Sequence, residues 1–131
     1  MERVKELLTQ AFQALSTFEK IAGLSKPSDI ERDAAIQRFE YTFETAWKAA
    51  QVYLADHEFL ESASPKGVIR ASFKAGLFDE RTAGQFMKIA NDRNLTVHTY
   101  NEELARQLYA RLADHAALLR AWLAEIQKRL E

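Results

Sequence analysis

Between positions 91 and 102 the chain reads Asn-Asp-Arg-Asn-Leu-Thr-Val-His-Thr-Tyr-Asn-Glu, a run dense in ionisable and hydrogen-bonding groups and poor in strong helix formers. Arg93, Asn94, His98 and Tyr100 stand out within it, because residues of these types can cleave a phosphodiester without a metal. Histidine titrates near pH 6.5 and can take a proton from a ribose 2′-hydroxyl, while arginine stays charged and holds phosphate oxygens in its planar fork. Asn94 can orient either the substrate or the histidine. Each residue also has an ordinary reading: His98 as a solvated surface histidine, Arg93 paired with Asp92 or Glu102, Tyr100 as surface packing with a wet hydroxyl.

The spacing constrains how these groups can meet. Thr99 and Glu102 have the Thr-x-x-Glu spacing of a capping box, which predicts that the last helix starts there, with Tyr100 in its first turn and His98 at a helix junction. On one continuous helix Arg93 and His98 would stand about 140° apart, whereas Arg93 and Tyr100 would share a face. The pair converges only if the backbone bends between them or two subunits meet, so a composite, dimeric site is expected.

The elements that must hold this run read as helices. Val4, Leu8, Ala11, Leu15, Phe18 and Ala22 recur at helical spacing, with Gly23 as the stop. After the loop Leu24-Ser25-Lys26-Pro27-Ser28, the run Ile36, Phe39, Phe43, Trp47, Ala50, Tyr53 and Leu54 predicts the longest core helix. Ser64-Pro65 supplies an N-cap and a first-turn proline for a short helix through Lys74, closed by Gly76. Asp79 caps a fourth helix to about Asn91 with Phe86, Met87 and Ala90 inward, and Leu104, Leu108, Leu112, Leu119, Leu123, Ile126 and Leu130 mark the last. No stretch shows the period-two alternation of a strand. The expectation is an all-α, antiparallel four-helix up-and-down bundle with one additional short helix, a single domain over residues 1–131.

Composition narrows the chemistry further. With 18 basic and 19 acidic residues the net charge is -1, so no global field gathers polyanions and any nucleic-acid contact must be local. Lys66, Arg70 and Lys74 repeat at four-residue spacing on the short helix and could track a phosphate backbone. A solvated stripe is the ordinary reading of such charges, and nearness to Arg93 is what would set these apart. The absence of cysteine removes disulfides, thiolate metal sites and cysteine nucleophiles. His57-Glu58-Phe59-Leu60-Glu61 superficially resembles a zinc-helix motif but lacks the second histidine, so neither metal nor cofactor is expected. No P-loop, Gly-x-Gly-x-x-Gly or Gly-x-Ser-x-Gly stretch exists. The N-terminus lacks a signal-peptide core and no apolar run is long enough to span a bilayer, which suits a cytoplasmic protein. Eight phenylalanines, four tyrosines and two tryptophans exceed what a thin bundle holds inside, so some are expected at a subunit interface.

Three blocks carry a resemblance: Arg38-Phe39-Glu40-Tyr41-Thr42-Phe43-Glu44-Thr45-Ala46-Trp47-Lys48, Ser64-Pro65-Lys66-Gly67-Val68-Ile69-Arg70, and Asp92 through Glu102. In this order they resemble the family first described as nucleotidyltransferase substrate-binding proteins, which belongs with the HEPN/HepT-like domains. The resemblance implies a helical domain whose Arg-x4-6-His motif, here Arg93, Asn94 and His98, forms a metal-independent endoribonuclease site at a dimer interface. It also implies that Tyr100, in the His-x-Tyr position, is adenylylated by a partner minimal nucleotidyltransferase of the MntA type that silences a toxin. The implied partners are thus that antitoxin, RNA and a second copy of the chain in a homodimer or higher oligomer. A non-catalytic module that docks a nucleotidyltransferase, or binds a nucleotide, fits the same residues. Without a Gly-Ser loop and paired aspartates, the chain is not expected to be the nucleotidyltransferase itself.

Overall fold

The computed structural model describes residues 2–131 and contains, among them, five α-helices, one 3-10 turn and no strand. The helices are α1 (Glu2–Glu19), α2 (Asp29–His57), α3 (Pro65–Lys74), α4 (Glu80–Leu95) and α5 (Glu102–Arg129), with the 3-10 turn η1 (Thr96–His98) joining the last two. The expected four long helices and one short one are all present. Helix α2 packs against every other element; α1 and α5 also pack on each other, as do α3 and α4, and α4 reaches α5.

Local signals explain where the helices start. Ser28 and Glu31 exchange both hydrogen bonds of a capping box at the head of α2, Ser64 accepts from the Gly67 N–H with Pro65 at the first helical position, and Asp79 accepts from the Thr82 N–H. Gly76 closes α3 with φ +76, in the left-handed region where a side chain would be strained. Gly23, with φ +80, ends the turn after α1, which stops at Glu19 rather than carrying on to Ala22; the Ile21 and Ala22 N–H groups both fold back onto the Phe18 carbonyl. Tyr109 of α5 fixes that turn, its hydroxyl donating to the Ile21 carbonyl and accepting from the Leu24 N–H.

The apolar stripes meet as their spacing requires. Phe18, Phe39, Phe43, Tyr53, Phe86 and Trp122 are essentially fully buried, and Trp122 meets the Phe86 ring edge-on at 4.8 Å while donating to the Ser72 hydroxyl. Met87, expected inward, is only half-buried, and Trp47 lies at the rim with its Nε1 donating to the Glu44 carboxylate. Tyr41, Phe59, Phe73 and Tyr100 stay exposed. The aromatic surplus therefore does reach the surface.

Two further boundaries differ from expectation. Helix α4 runs past Asn91 to Leu95 because tertiary contacts from Asp92 and Arg93 override the weak helix propensity of this stretch. The cap of α5 is Asn101, accepting from the Leu104 N–H, not Thr99; Thr99 has φ -78 and ψ 3 instead of the extended cap conformation, and its hydroxyl donates back to the Thr96 carbonyl. Tyr100 thus precedes the helix.

At the end of α2, Phe59 takes a left-handed φ of 56 although its side chain is 86% exposed. A glycine there relieves strain of about 1–2 kcal/mol and gives back about 0.5–1 in backbone entropy, with little packing to lose. Phe59→Gly is therefore expected to stabilise the fold by roughly 0.5–1 kcal/mol in urea unfolding; a destabilised variant would show that the phenyl ring makes contacts that matter.

Candidate functional site

The site is built on the last turn of α4, where two adjacent residues grip two different helices. Asp92 points at α5 and is buried. Arg111 donates to its carboxylate twice, from Nε at 2.8 Å and Nη2 at 2.9 Å, and His115 Nε2 lies 2.7 Å from Oδ2. Burial alone would raise this carboxyl, but hydrogen bonds from His115 and Arg111 together with their charges hold it down at about 2. Arg93, about 100° further round the helix, points at α2 and donates from Nε to Glu44 Oε1 at 2.9 Å.

Glu44 is a braced partner. Its other oxygen accepts from Trp47 Nε1 at 3.2 Å, so the carboxylate is held between an indole and the guanidinium. Only Nε of Arg93 is engaged; among the described residues no hydrogen bond uses its two terminal nitrogens. Arg93 lines a groove of about 420 Å³ whose wall includes Asn94, Lys66, Arg70 and the start of α3, with its cap Ser64 and first residue Pro65. Three cations and one already paired carboxylate line it. A phosphate fits such a wall, because a planar guanidinium with free donors and two further positive groups can share its oxygens.

Beyond Arg93 the chain bends. The Thr96 hydroxyl sits 2.7 Å from Glu40 Oε2 and 2.8 Å from the Arg93 carbonyl, sharing its one proton across the end of α4. The Asn101 N–H donates to the His98 carbonyl and closes the turn. His98 and Tyr100 emerge on this bend, both exposed, their rings edge-to-face with centroids 6.2 Å apart. Tyr100 is 85% exposed.

The sequence-predicted residues therefore fall into two groups. Arg93, Asn94, Lys66 and Arg70 share the groove, and Lys74 lies one turn further along α3, in a neighbouring groove that also takes in Arg70. His98 and Tyr100 pair with each other and do not line the Arg93 groove of the same chain. Neither Asp92 nor Glu102 holds Arg93: Asp92 is taken by Arg111 and His115, and Glu102 lies near Arg32 and Arg106. His57, the head of the zinc-like run, stacks on Tyr53, and Glu58 accepts from the Tyr53 hydroxyl; no group of possible metal ligands occurs among the described residues.

Sequence reasoning missed the Asp92–Arg111–His115 cluster and the two α2 carboxylates. A signal existed for each. His115 interrupts the stripe Leu108, Leu112, Leu119, Leu123 at a core position, which demands a buried partner, and Arg111 precedes it by one turn. Glu40 and Glu44, also one turn apart, flank the apolar positions Phe39 and Phe43 and face whatever packs on α2.

Comparisons place this geometry among known proteins. The family described as nucleotidyltransferase substrate binding protein like matches residues 5–128. A crystal structure of a protein from Thermus thermophilus is 52% identical, with a TM-score of 0.87 over 88% of this chain and 98% of that one. A Haemophilus influenzae structure, described as the fold of a substrate binding domain of a nucleotidyltransferase, is 21% identical with a TM-score of 0.63, covering 96% of this chain and 98% of that one. A toxin–antitoxin structure with AMP-PNP is 12% identical with a TM-score of 0.69, covering 94% and 96% respectively. At these identities the last two share the fold. No match was found among curated proteins.

The depressed Asp92 carboxyl makes a stability prediction. Its native value lies below the unfolded one near 3.9, so its contribution is complete above about pH 4 and is lost as pH falls through about 2. Asp92→Asn is expected to cost about 2–3 kcal/mol at pH 7, and urea unfolding should show the parent converging on the variant as the pH drops toward 2. A gap that stays constant with pH would mean that the carboxylate charge is not the source of the stability.

Proposed function

This chain belongs to the nucleotidyltransferase substrate-binding-protein-like family, and from that premise we propose that it is the helical companion of a minimal nucleotidyltransferase and acts as a HepT-like, metal-independent endoribonuclease. The observation that carries the reading is Arg93 itself: its Nε is anchored on Glu44, its terminal nitrogens have no hydrogen-bond partner among the described residues, and it lines a cationic groove with Asn94, Lys66 and Arg70. That is the arrangement of a residue kept in place to receive an anion. In the proposed reaction the His98 imidazole takes the proton of a ribose 2′-hydroxyl. The 2′-oxygen attacks the adjacent phosphorus, the bond to the 5′-oxygen breaks, and the 5′-oxygen leaves with a proton taken from solvent, giving a 2′,3′-cyclic phosphate. Arg93 steadies the charge on the non-bridging oxygens and Asn94 orients the strand. Since His98 does not line the groove of its own chain, the site is completed by the imidazole of a second copy.

Tyr100 is the control point in this proposal. Its exposed hydroxyl loses its proton to solvent and attacks the α-phosphorus of a nucleoside triphosphate held by the partner enzyme, pyrophosphate leaves, and the added nucleotide stands beside His98. The bulk and negative charge of that group block RNA at the same face.

One observation favours a second reading. A single chain gathers cations around the groove but leaves the imidazole outside it, which suits a module that binds a nucleotide or docks the enzyme without breaking a bond.

His98→Ala is expected to lower RNA cleavage by about 10²–10⁴-fold with the helical circular-dichroism spectrum intact. Cleavage retained by that variant would reject the catalytic assignment, and a parent protein that co-purifies with a nucleotidyltransferase yet never cuts RNA would establish the binding reading instead. Tyr100→Phe is expected to take up no labelled AMP from the partner enzyme and ATP, and to keep its activity in the enzyme's presence; labelling at another residue would remove Tyr100 from the control point.

A further inference from the structure

Helix α3 carries more than its share of the groove around Arg93. On its other flank lies a second groove of about 440 Å³, mostly apolar, formed by Leu60, Ala71 and Phe73 with Arg70, Lys74 and Glu61 at its rim. Arg70 belongs to both grooves. The two are therefore joined across α3 by one cation.

The residues on this path have a regular order. Lys66, Arg70 and Lys74 stand four apart, which sets them about 6 Å from one another along the helix axis. All three are exposed. Phe73, between the last two, keeps 43% of its surface exposed although it lines an apolar groove. An aromatic face flanked by evenly spaced cations is the combination that holds single-stranded nucleic acid, with the cations on the backbone and a base on the ring. Two carboxylates lie along the same path: Glu44, which is occupied by Arg93 and Trp47, and Glu61, at the far rim.

We propose that α3 is a single-strand track. An extended RNA strand leaves the Arg93 and Asn94 groove, follows the helix with its phosphates on Lys66, Arg70 and Lys74, and stacks one base on Phe73. This deepens the reading that the protein acts on RNA and rests on it for the class of ligand. It selects unpaired RNA, because a base in a duplex is already stacked and cannot lie on the phenyl ring.

The test uses full-length protein carrying His98→Ala, so that the probe survives, with a labelled oligouridylate of roughly 12 nucleotides and an RNA duplex of the same length. Phe73→Ala is expected to weaken oligouridylate binding about tenfold, to leave the salt dependence of binding unchanged, and to have no effect on the duplex. Lys74→Gln and Arg70→Gln are each expected to reduce the slope of log K against log salt by about 0.7. Melting curves confirm that each variant folds. Oligouridylate binding by the parent that Phe73→Ala and Lys74→Gln leave intact overturns the track while the cleavage reading stands. Absence of any RNA binding or cleavage by the parent overturns both. Loss of co-purification with the nucleotidyltransferase in these variants, with RNA binding unaltered, would assign the surface to the protein partner and also overturn the track.

Discussion

Everything at the candidate site depends on how the last turn of α4 is held. Asp92 and Arg93 are neighbours in sequence, yet the 100° advance of the helix sends one toward α5 and the other toward α2. Each finds a charged partner there: Arg111 and His115 for the carboxylate, Glu44 for the guanidinium. A helix tied to two others by opposite charges cannot roll about its own axis without breaking one of them. The direction in which Arg93 offers its free nitrogens is fixed by the same contacts that hold the bundle together.

Burying such groups carries a desolvation cost, and the two pairs handle it differently. Asp92 is almost wholly buried and receives three hydrogen bonds, enough to keep it charged; a lone carboxylate there would be strongly unfavourable. Arg93 and Glu44 are each only about a quarter to a third exposed, and their pairing is better seen as orientation than as a large stabilising contribution. The division suits a site, since the structural charge is sealed and the working charge keeps access to solvent. Glu40 extends the pattern by one turn, meeting Thr96 where the helix stops.

That stop is what exposes the other half of the motif. Residues with poor helix propensity end α4 at Leu95, and the 3-10 turn that follows lets His98 and Tyr100 stand out beside each other instead of continuing round the helix. A bend was one of the two ways the spacing allowed Arg93 and His98 to meet, and the bend that is present does not bring them together. It pairs the imidazole with the phenol and leaves the guanidinium in its groove.

Much of this was legible in the residue order. Periodic apolar positions, few helix breakers and the caps at Ser64 and Asp79 determined an all-helical chain with its turns nearly in place, because these are local interactions written within a few residues of one another. The type and spacing of Arg93, Asn94, His98 and Tyr100 likewise marked one run as chemical. What no local rule could supply was partnership across the bundle: Glu44 lies 49 residues from Arg93 and Arg111 lies 19 from Asp92, so only packing decided which carboxylate met which cation. The same contacts carried α4 past its weak residues, while the cap of α5 fell at Asn101 because the Thr99 hydroxyl turns back to the Thr96 carbonyl. Packing also brought Lys66 and Arg70 to Arg93, because the position of one helix beside another is fixed by the fit of their buried faces, which spacing along either helix alone does not contain.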